Sequence, residues 1–365
     1  MLTRVRIGMV GAGAVAARHL RTLQAMDGVE VAGVADPALE RARELAGEAG
    51  AAAYPNHMEL LAAEHLDALY ICVPPFAHGA PELAAIEAGL PFFVEKPVAI
   101  DPPTAAGIAA ALAGRQLVPC TGYHWRWLDI FDRAAGLLAE RPARLVQCAW
   151  LDKVPPPPWW LRRDGSGGQT IEQTTHVLDT ARGLAGEVTE VHAFGARAAV
   201  AARTAATPPT PRSMGPRTGR VADGGAGSSG LSTAPAEAAL PAADIHEVSV
   251  ASLRFASGAV GTVASSCLLP RLHRAGVQVV ADGLSLELSE TELVVEADGR
   301  RSAWQADADA RPRPDRDFVA AVRGGPDRIR VPWPEAYRTH LLACAITRSA
   351  DEGRSLRVSN GDGRG

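Results

Sequence analysis

Lysine is nearly missing. Of 37 basic side chains in 365 residues, only Lys96 and Lys153 are lysines. Arginine keeps its proton in proteins, whereas a lysine ammonium is compact enough to follow a reacting oxygen. A lysine retained against this bias therefore draws interest. Runs of Lys and Arg are also missing, and the net charge is −4 with a pI of about 6.2. A nucleic-acid partner has no electrostatic footprint here. No apolar run is long enough to span a bilayer. The first strand begins within a few residues of Met1, which leaves no room for a signal peptide. The five cysteines, Cys72, Cys120, Cys148, Cys267 and Cys344, are scattered and form no C-x-x-C pair. They read as reduced thiols of a cytoplasmic protein, not as a disulfide framework or zinc site. No H-E-x-x-H or similar ligand cluster occurs, so no metal is expected. Hydrophobic content of 47% and charged content of 21% fit a soluble chain with core enough for two domains.

What is present begins with a glycine loop. Arg4 to Val10 reads as a strand, Gly11-Ala12-Gly13-Ala14-Val15-Ala16 follows, and a helical pattern runs from Ala17 to Met26. This is G-x-G-x-x-A between strand and helix, the context that gives the motif meaning. Gly11 allows the turn, Gly13 lets a pyrophosphate approach, and Ala16 lets the helix pack on the strand. Free N–H groups at the helix start favour phosphate. A second strand, Glu30 to Ala35, ends in Asp36. Its carboxylate suits the adenosine ribose hydroxyls and repels a 2′-phosphate, which favours NAD over NADP. A second role for Asp36, compatible with the first, is to cap the helix that starts near Pro37.

Helix and strand patterns alternate up to Thr121, so a parallel, doubly wound sheet is expected over residues 1–123. Ligands of such sheets sit at the carboxyl ends of strands. Asp36, Val73, Pro74, His78, Glu95, Lys96 and Tyr123 fall at or just beyond strand ends. Lys96 follows the apolar run Pro91 to Val94 and precedes Pro97. Its plain alternative is an ordinary surface lysine. The candidate cofactor contacts are Gly11, Gly13, Ala14, Val15, Asp36, Val73, Pro74, His78, Glu95 and Lys96.

Beyond Gly122 the pattern changes to long strands joined by turns such as Ala256-Ser257-Gly258 and Asp282-Gly283. Residues 124–365 read as an α+β domain with a large, mostly antiparallel open sheet. The uncovered face of such a sheet predicts a homodimer or homotetramer. Glu172, His176 and Asp179 are spaced i, i+4, i+7, which predicts one polar stripe on a helix whose other side is buried. A Glu–His pair at this spacing is also a common surface contact. Beside a dinucleotide cradle it supplies the proton acceptor that alcohol oxidation needs. Pro155 to Pro158 lead into Trp159 and Trp160. Either a tryptophan walls a sugar-sized pocket, or both fill the core. Residues 204–243 have six prolines, six glycines and no aromatic residue, and read as a disordered insert.

Taken together, the G-x-G-x-x-A start, Pro74-Pro75-x-x-His78, Glu95-Lys96-Pro97, the aromatic stretch to Arg126 and the Gly167-Gly168 to His176-x-x-Asp179 helix resemble the Gfo/Idh/MocA family. The resemblance implies an NAD(P)-dependent oxidoreductase acting on a secondary hydroxyl or keto group of a sugar, amino sugar or cyclitol. It also implies catalytic roles for Lys96, Glu172 and His176, and substrate contacts from Tyr123, Arg126, Trp160 and Asp179. The family most often has aspartate where this chain has Glu172. Other activities the resemblance admits are a redox-neutral epimerase, lyase or glycosidase, and a non-catalytic NAD-binding regulator.

Overall fold

The computed structural model describes residues 4–197, 243–359 and 361. The reading of 204–243 as an insert lies, up to residue 242, outside the described residues.

Short β-α units build the first layer. They are β1 (Val5–Val10), α1 (Ala14–Gln24), β2 (Val29–Ala35), α2 (Leu39–Ala49), β3 (Ala52–Tyr54), α3 (His57–Ala63) and β4 (Ala68–Ile71). Next come α4 (Ala80–Glu87), β5 (Phe92–Val94), α5 (Pro102–Leu112) and β6 (Pro119–Thr121). All pairings are parallel, in the order β3-β2-β1-β4-β5-β6. The strands are short and apolar because both faces are covered: β4 and β5 are buried at every residue. Strand order reverses between β1 and β4, which opens a crevice at their carboxyl ends.

The second layer starts with α6 (Asp129–Glu140), β7 (Leu145–Leu151) and α7 (Arg163–Ser166). A π-helical turn over Thr170–Thr174 leads into α8 (Thr175–Ala185). Then follow β8 (Val188–Ala196), β9 (Val248–Phe255), β10 (Val260–Ser266), β11 (Arg274–Ala281), β12 (Leu284–Leu288), β13 (Glu292–Ala297) and β14 (Arg300–Gln305). The chain closes with α9 (Arg313–Val322), α10 (Trp333–Glu352) and β15 (Leu356–Arg357). The nine strands run β14-β13-β12-β11-β7-β10-β9-β8-β15. Only the β7–β10 pair is parallel. The alternation on β9, buried at every second residue, marks one covered and one open face.

The chain then returns to the first layer. Phe318, Val319, Val331, Trp333 and Ala336 join the core of the parallel sheet. A division at residue 123 therefore separates the two sheets and not the two cores. Among the described residues no helix is long and apolar enough to cross a membrane.

Candidate active site

The glycine loop is shaped for a close neighbour. Gly11 has φ +91°, and a Cβ there would lie 2.3 Å from the Cys72 carbonyl oxygen. A Cβ on Gly13 would meet nothing within 4 Å. Gly13 caps α1 without any side-chain hydrogen bond, and Gly13, Ala14 and Val15 are exposed. The first N–H groups of α1 thus face an open surface, which fits a pyrophosphate. Asp36 braces the loop: one oxygen accepts the Ala12 N–H at 2.9 Å. The other accepts the Ala38 N–H at 2.8 Å and faces the Arg41 guanidinium at 3.3 Å. Both roles foreseen for Asp36 concern the same carboxylate, and here it orders the turn before α2.

Val73 and Pro74 are half-exposed beyond β4. His78 is buried. Its Nδ1 lies 2.6 Å from Glu82, four residues on, and neither side chain is exposed. Glu82 also accepts the Gly79 N–H at 2.6 Å. This pairing orients the imidazole, whose buried Nε2 has no hydrogen-bond partner among the described residues.

Glu95 is likewise buried. It accepts from Arg18 at 2.9 Å and from the Lys96 amide at 3.1 Å, and lies 2.9 Å from His19 Nε2. His19 Nδ1 reaches Asp315 of α9 at 2.6 Å. Glu95 therefore ties the lysine loop to α1. Gly122 makes room for it, since a Cβ there would lie 2.6 Å from the carboxylate. Burial alone would lower the His19 pKa, but the charges and hydrogen bonds of Asp315 and Glu95 lift it to about 9. Burial alone would raise Glu95, but His19, Arg18 and Lys96 hold it at about 2.

This triad predicts a pH window. His19 is raised from 6.5 to about 9, so its stabilisation is complete below 6.5 and is lost as pH rises through 9. Glu95 is depressed from 4.5 to about 2, so its share is present above 4.5 and is lost as pH falls through 2. The alkaline loss is on the order of 3 kcal/mol, counted once for the triad. Thermal unfolding should fall by several degrees between pH 6.5 and 9 in the parent. His19→Gln should be less stable at pH 6.5 and nearly flat above it. A parent profile with no alkaline slope would contradict the triad.

Lys96 is the meeting point. Its Nζ donates to the Glu172 carboxylate and to the Glu172 carbonyl, both at 2.9 Å. The other carboxylate oxygen accepts the Trp160 indole N–H at 2.8 Å. Glu172 lies on the π-helical turn, and His176 and Asp179 follow on α8. Glu172 faces Lys96, while His176 sits among the rings of Tyr123, His124, Trp125 and Trp150 at centroid distances of 5.3–6.2 Å. Its Nδ1 is buried with no hydrogen-bond partner among the described residues. Burial first, then the positive charges of Lys96 and His124, push its pKa well below 6.5. The shift favours the neutral imidazole.

The expected substrate contacts have protein partners. Helix α8 is covered on all sides except at Gly183, not along one arc. Asp179, 1% exposed, accepts Arg126 at 2.7 and 3.2 Å and Thr339 of α10 at 2.9 Å. The Tyr123 hydroxyl pairs with Thr175 Oγ1 at 2.8 Å. Trp160 is fully buried with Leu161, Ile245 and Cys267. Tyr123, Trp160 and Asp179 thus have protein partners, and Arg126 binds Asp179 while its side chain stays partly exposed. The sequence reading missed Trp150 and the acidic partner of His124. His124 Nε2 lies 2.9 Å from Glu290, which Arg311 also binds. The cluster Tyr123 to Trp127 carried a signal in its aromatic density; Trp150, alone on a strand, carried none.

Residues 5–123 match the family model described as "Oxidoreductase family, NAD-binding Rossmann fold", and residues 142–287 match the GFO/IDH/MocA C-terminal domain. The chain belongs to the Gfo/Idh/MocA family. Similar family members include inositol 2-dehydrogenase 4 of Saccharopolyspora erythraea, 32% identical over 192 residues, which span 50% of this chain and 54% of the relative. Rhizopine catabolism protein MocA of Rhizobium meliloti is 32% identical over 51% of this chain and 59% of its own length. The chain thus spans little more than half the length of these curated relatives. Among solved structures, levoglucosan dehydrogenase with NADH aligns with a TM-score of 0.76 at 19% identity, covering 98% of this chain and 99% of that one. The WlbA dehydrogenase of Chromobacterium violaceum, with NADH and UDP-GlcNAcA, aligns at 0.77 and 18% identity, covering 98% and 97%. At such identities the structures speak for the shared fold.

Proposed function

We propose that this chain is an NAD-dependent dehydrogenase acting on a secondary hydroxyl of a sugar, amino sugar or cyclitol. One observation carries the reading. A lysine fixed by a carboxylate stands beside a neutral, unpartnered histidine, at the carboxyl edge of a sheet with an open glycine loop. Gly11, Gly13, Ala14 and Val15 would hold the pyrophosphate, and Asp36, Val73 and Pro74 would border the rest of the cofactor. Bound NAD supplies the acceptor for a hydride from the substrate carbon. An ammonium has three N–H donors. Lys96 uses two on Glu172, which leaves one for the reacting oxygen. That donor stabilises the oxygen as negative charge builds. His176, neutral through burial, takes the hydroxyl proton. Glu172 holds the ammonium and is not the proton acceptor. The Asp36 carboxylate disfavours a 2′-phosphate, so NAD is preferred to NADP.

A homo-oligomer is part of the proposal. Phe194 and Val250 are register partners on β8 and β9, and both are exposed, at 63% and 49%. An apolar pair on an open sheet face favours a second sheet against it. Sedimentation should report two or four chains, and a monomer at micromolar concentration would remove this part.

The catalytic reading is tested by nicotinamide reduction with NAD and NADP over a panel of cyclitols, sugars and amino sugars. Turnover with NAD on a ring alcohol supports it. Substrate conversion without net cofactor reduction would replace it with a redox-neutral reaction.

A further inference from the structure

Glu172 is tied at both oxygens, and the second tie comes from a residue with no place in the proposed proton path. A glutamate side chain has three rotatable bonds and reaches its partner only if all three are held. Lys96 holds one oxygen at 2.9 Å. The Trp160 indole N–H holds the other at 2.8 Å. Trp160 itself cannot move easily. It is fully buried in a small core with Leu161, Ile245 and Cys267. Its carbonyl accepts Ser166 Oγ at 2.7 Å, and the same hydroxyl accepts the Gly168 N–H at 3.0 Å. Helix α7 presses so closely on the tryptophan pair that a Cβ on Gly165 would lie 2.2 Å from the Trp159 carbonyl oxygen. The four prolines before it stiffen the approach.

We infer that Trp160 is a positioning residue that fixes the Glu172 carboxylate and, through it, aims the one free N–H of Lys96. The inference rests on the dehydrogenase reading for its kinetic consequence but not for the contact itself. Without the indole donor, Glu172 gains other rotamers and one buried oxygen loses its partner. Lys96 then loses its fixed direction, and misplacement of a catalytic group by about 1 Å is costly in rate.

The near-absence of lysine makes the test direct. Lys153 is exposed and serves as the internal standard for amine labelling of Lys96 by an acylating reagent, read by mass spectrometry. Trp160→Phe should raise the labelling rate of Lys96 several-fold and leave Lys153 unchanged. It should lower kcat roughly ten- to hundredfold, with NAD affinity within about twofold. Added to Glu172→Ala, the same substitution should do little more, because the path through the carboxylate is already gone. A benzothienyl isostere of tryptophan at position 160 keeps the ring shape and lacks the N–H. It carries the test if Trp160→Phe fails to fold. Unchanged Lys96 labelling in a folded variant, or full additivity with Glu172→Ala, would overturn the inference. Absence of turnover in the parent, with faster Lys96 labelling in the variant, would instead sink the dehydrogenase reading and keep the contact.

Discussion

Lys96→Met lowers turnover by roughly a hundred- to ten-thousand-fold while the protein still binds NAD. Methionine keeps the length and loses both the charge and the donors. The reacting oxygen then has no ammonium beside it, and its developing charge goes unbalanced. Glu172 also loses its cation. Both side chains of the pair are only 16% exposed, so the bare carboxylate costs on the order of 1–3 kcal/mol. A thermal unfolding curve and a cofactor titration separate this structural cost from the chemical one. Arginine is no substitute, because its planar fork cannot occupy the position of a compact ammonium. A Lys96→Met protein with parental kcat would show that the lysine only packs.

His176→Asn gives a loss of similar size, roughly a hundred- to ten-thousand-fold in kcat, because the proton acceptor is gone. The pH dependence sharpens the expectation. The pKa of His176 is pushed well below 6.5 by burial and by the Lys96 charge. The imidazole therefore stays neutral at pH 6.5 and above, and kcat/KM should show no acid limb near 6.5. The limb attributable to His176 lies lower. Removing the Lys96 charge relieves one cause of the shift, so in Lys96→Met the residual activity should show its acid limb at higher pH. An acid limb centred at 6.5 in the parent would contradict either the lowered His176 pKa or its role as proton acceptor.

Much of this arrangement was legible before any coordinates. The glycine loop, Asp36 and the strand ending at Glu95-Lys96 are local patterns, and local patterns survive in sequence. Long-range partners do not. Lys96 and Glu172 are 76 residues apart, and His19 and Asp315 are 296 apart. No periodicity links them. The π-helical turn at Thr170–Thr174 is a one-residue change of period, too small to see beneath a convincing helical stripe. The partners of Trp160 and Asp179 were hidden for a different reason. Polar and aromatic residues near a site look like ligand contacts, but a buried indole or carboxylate needs partners of its own. Those partners, Glu172 for one and Arg126 with Thr339 for the other, are set by packing. The return of α9 to the first core escaped notice because its amphipathic pattern names an apolar face and not the surface that receives it.

The central claim is that Lys96 and His176 together serve alcohol oxidation with NAD. Single-turnover reduction of bound NAD by a ring alcohol, compared in the parent, Lys96→Met and His176→Asn proteins, tests it most directly. The account predicts cofactor reduction in the parent and at least about a hundredfold slower reduction in each variant, with NAD still bound. Equal rates in all three proteins would contradict it.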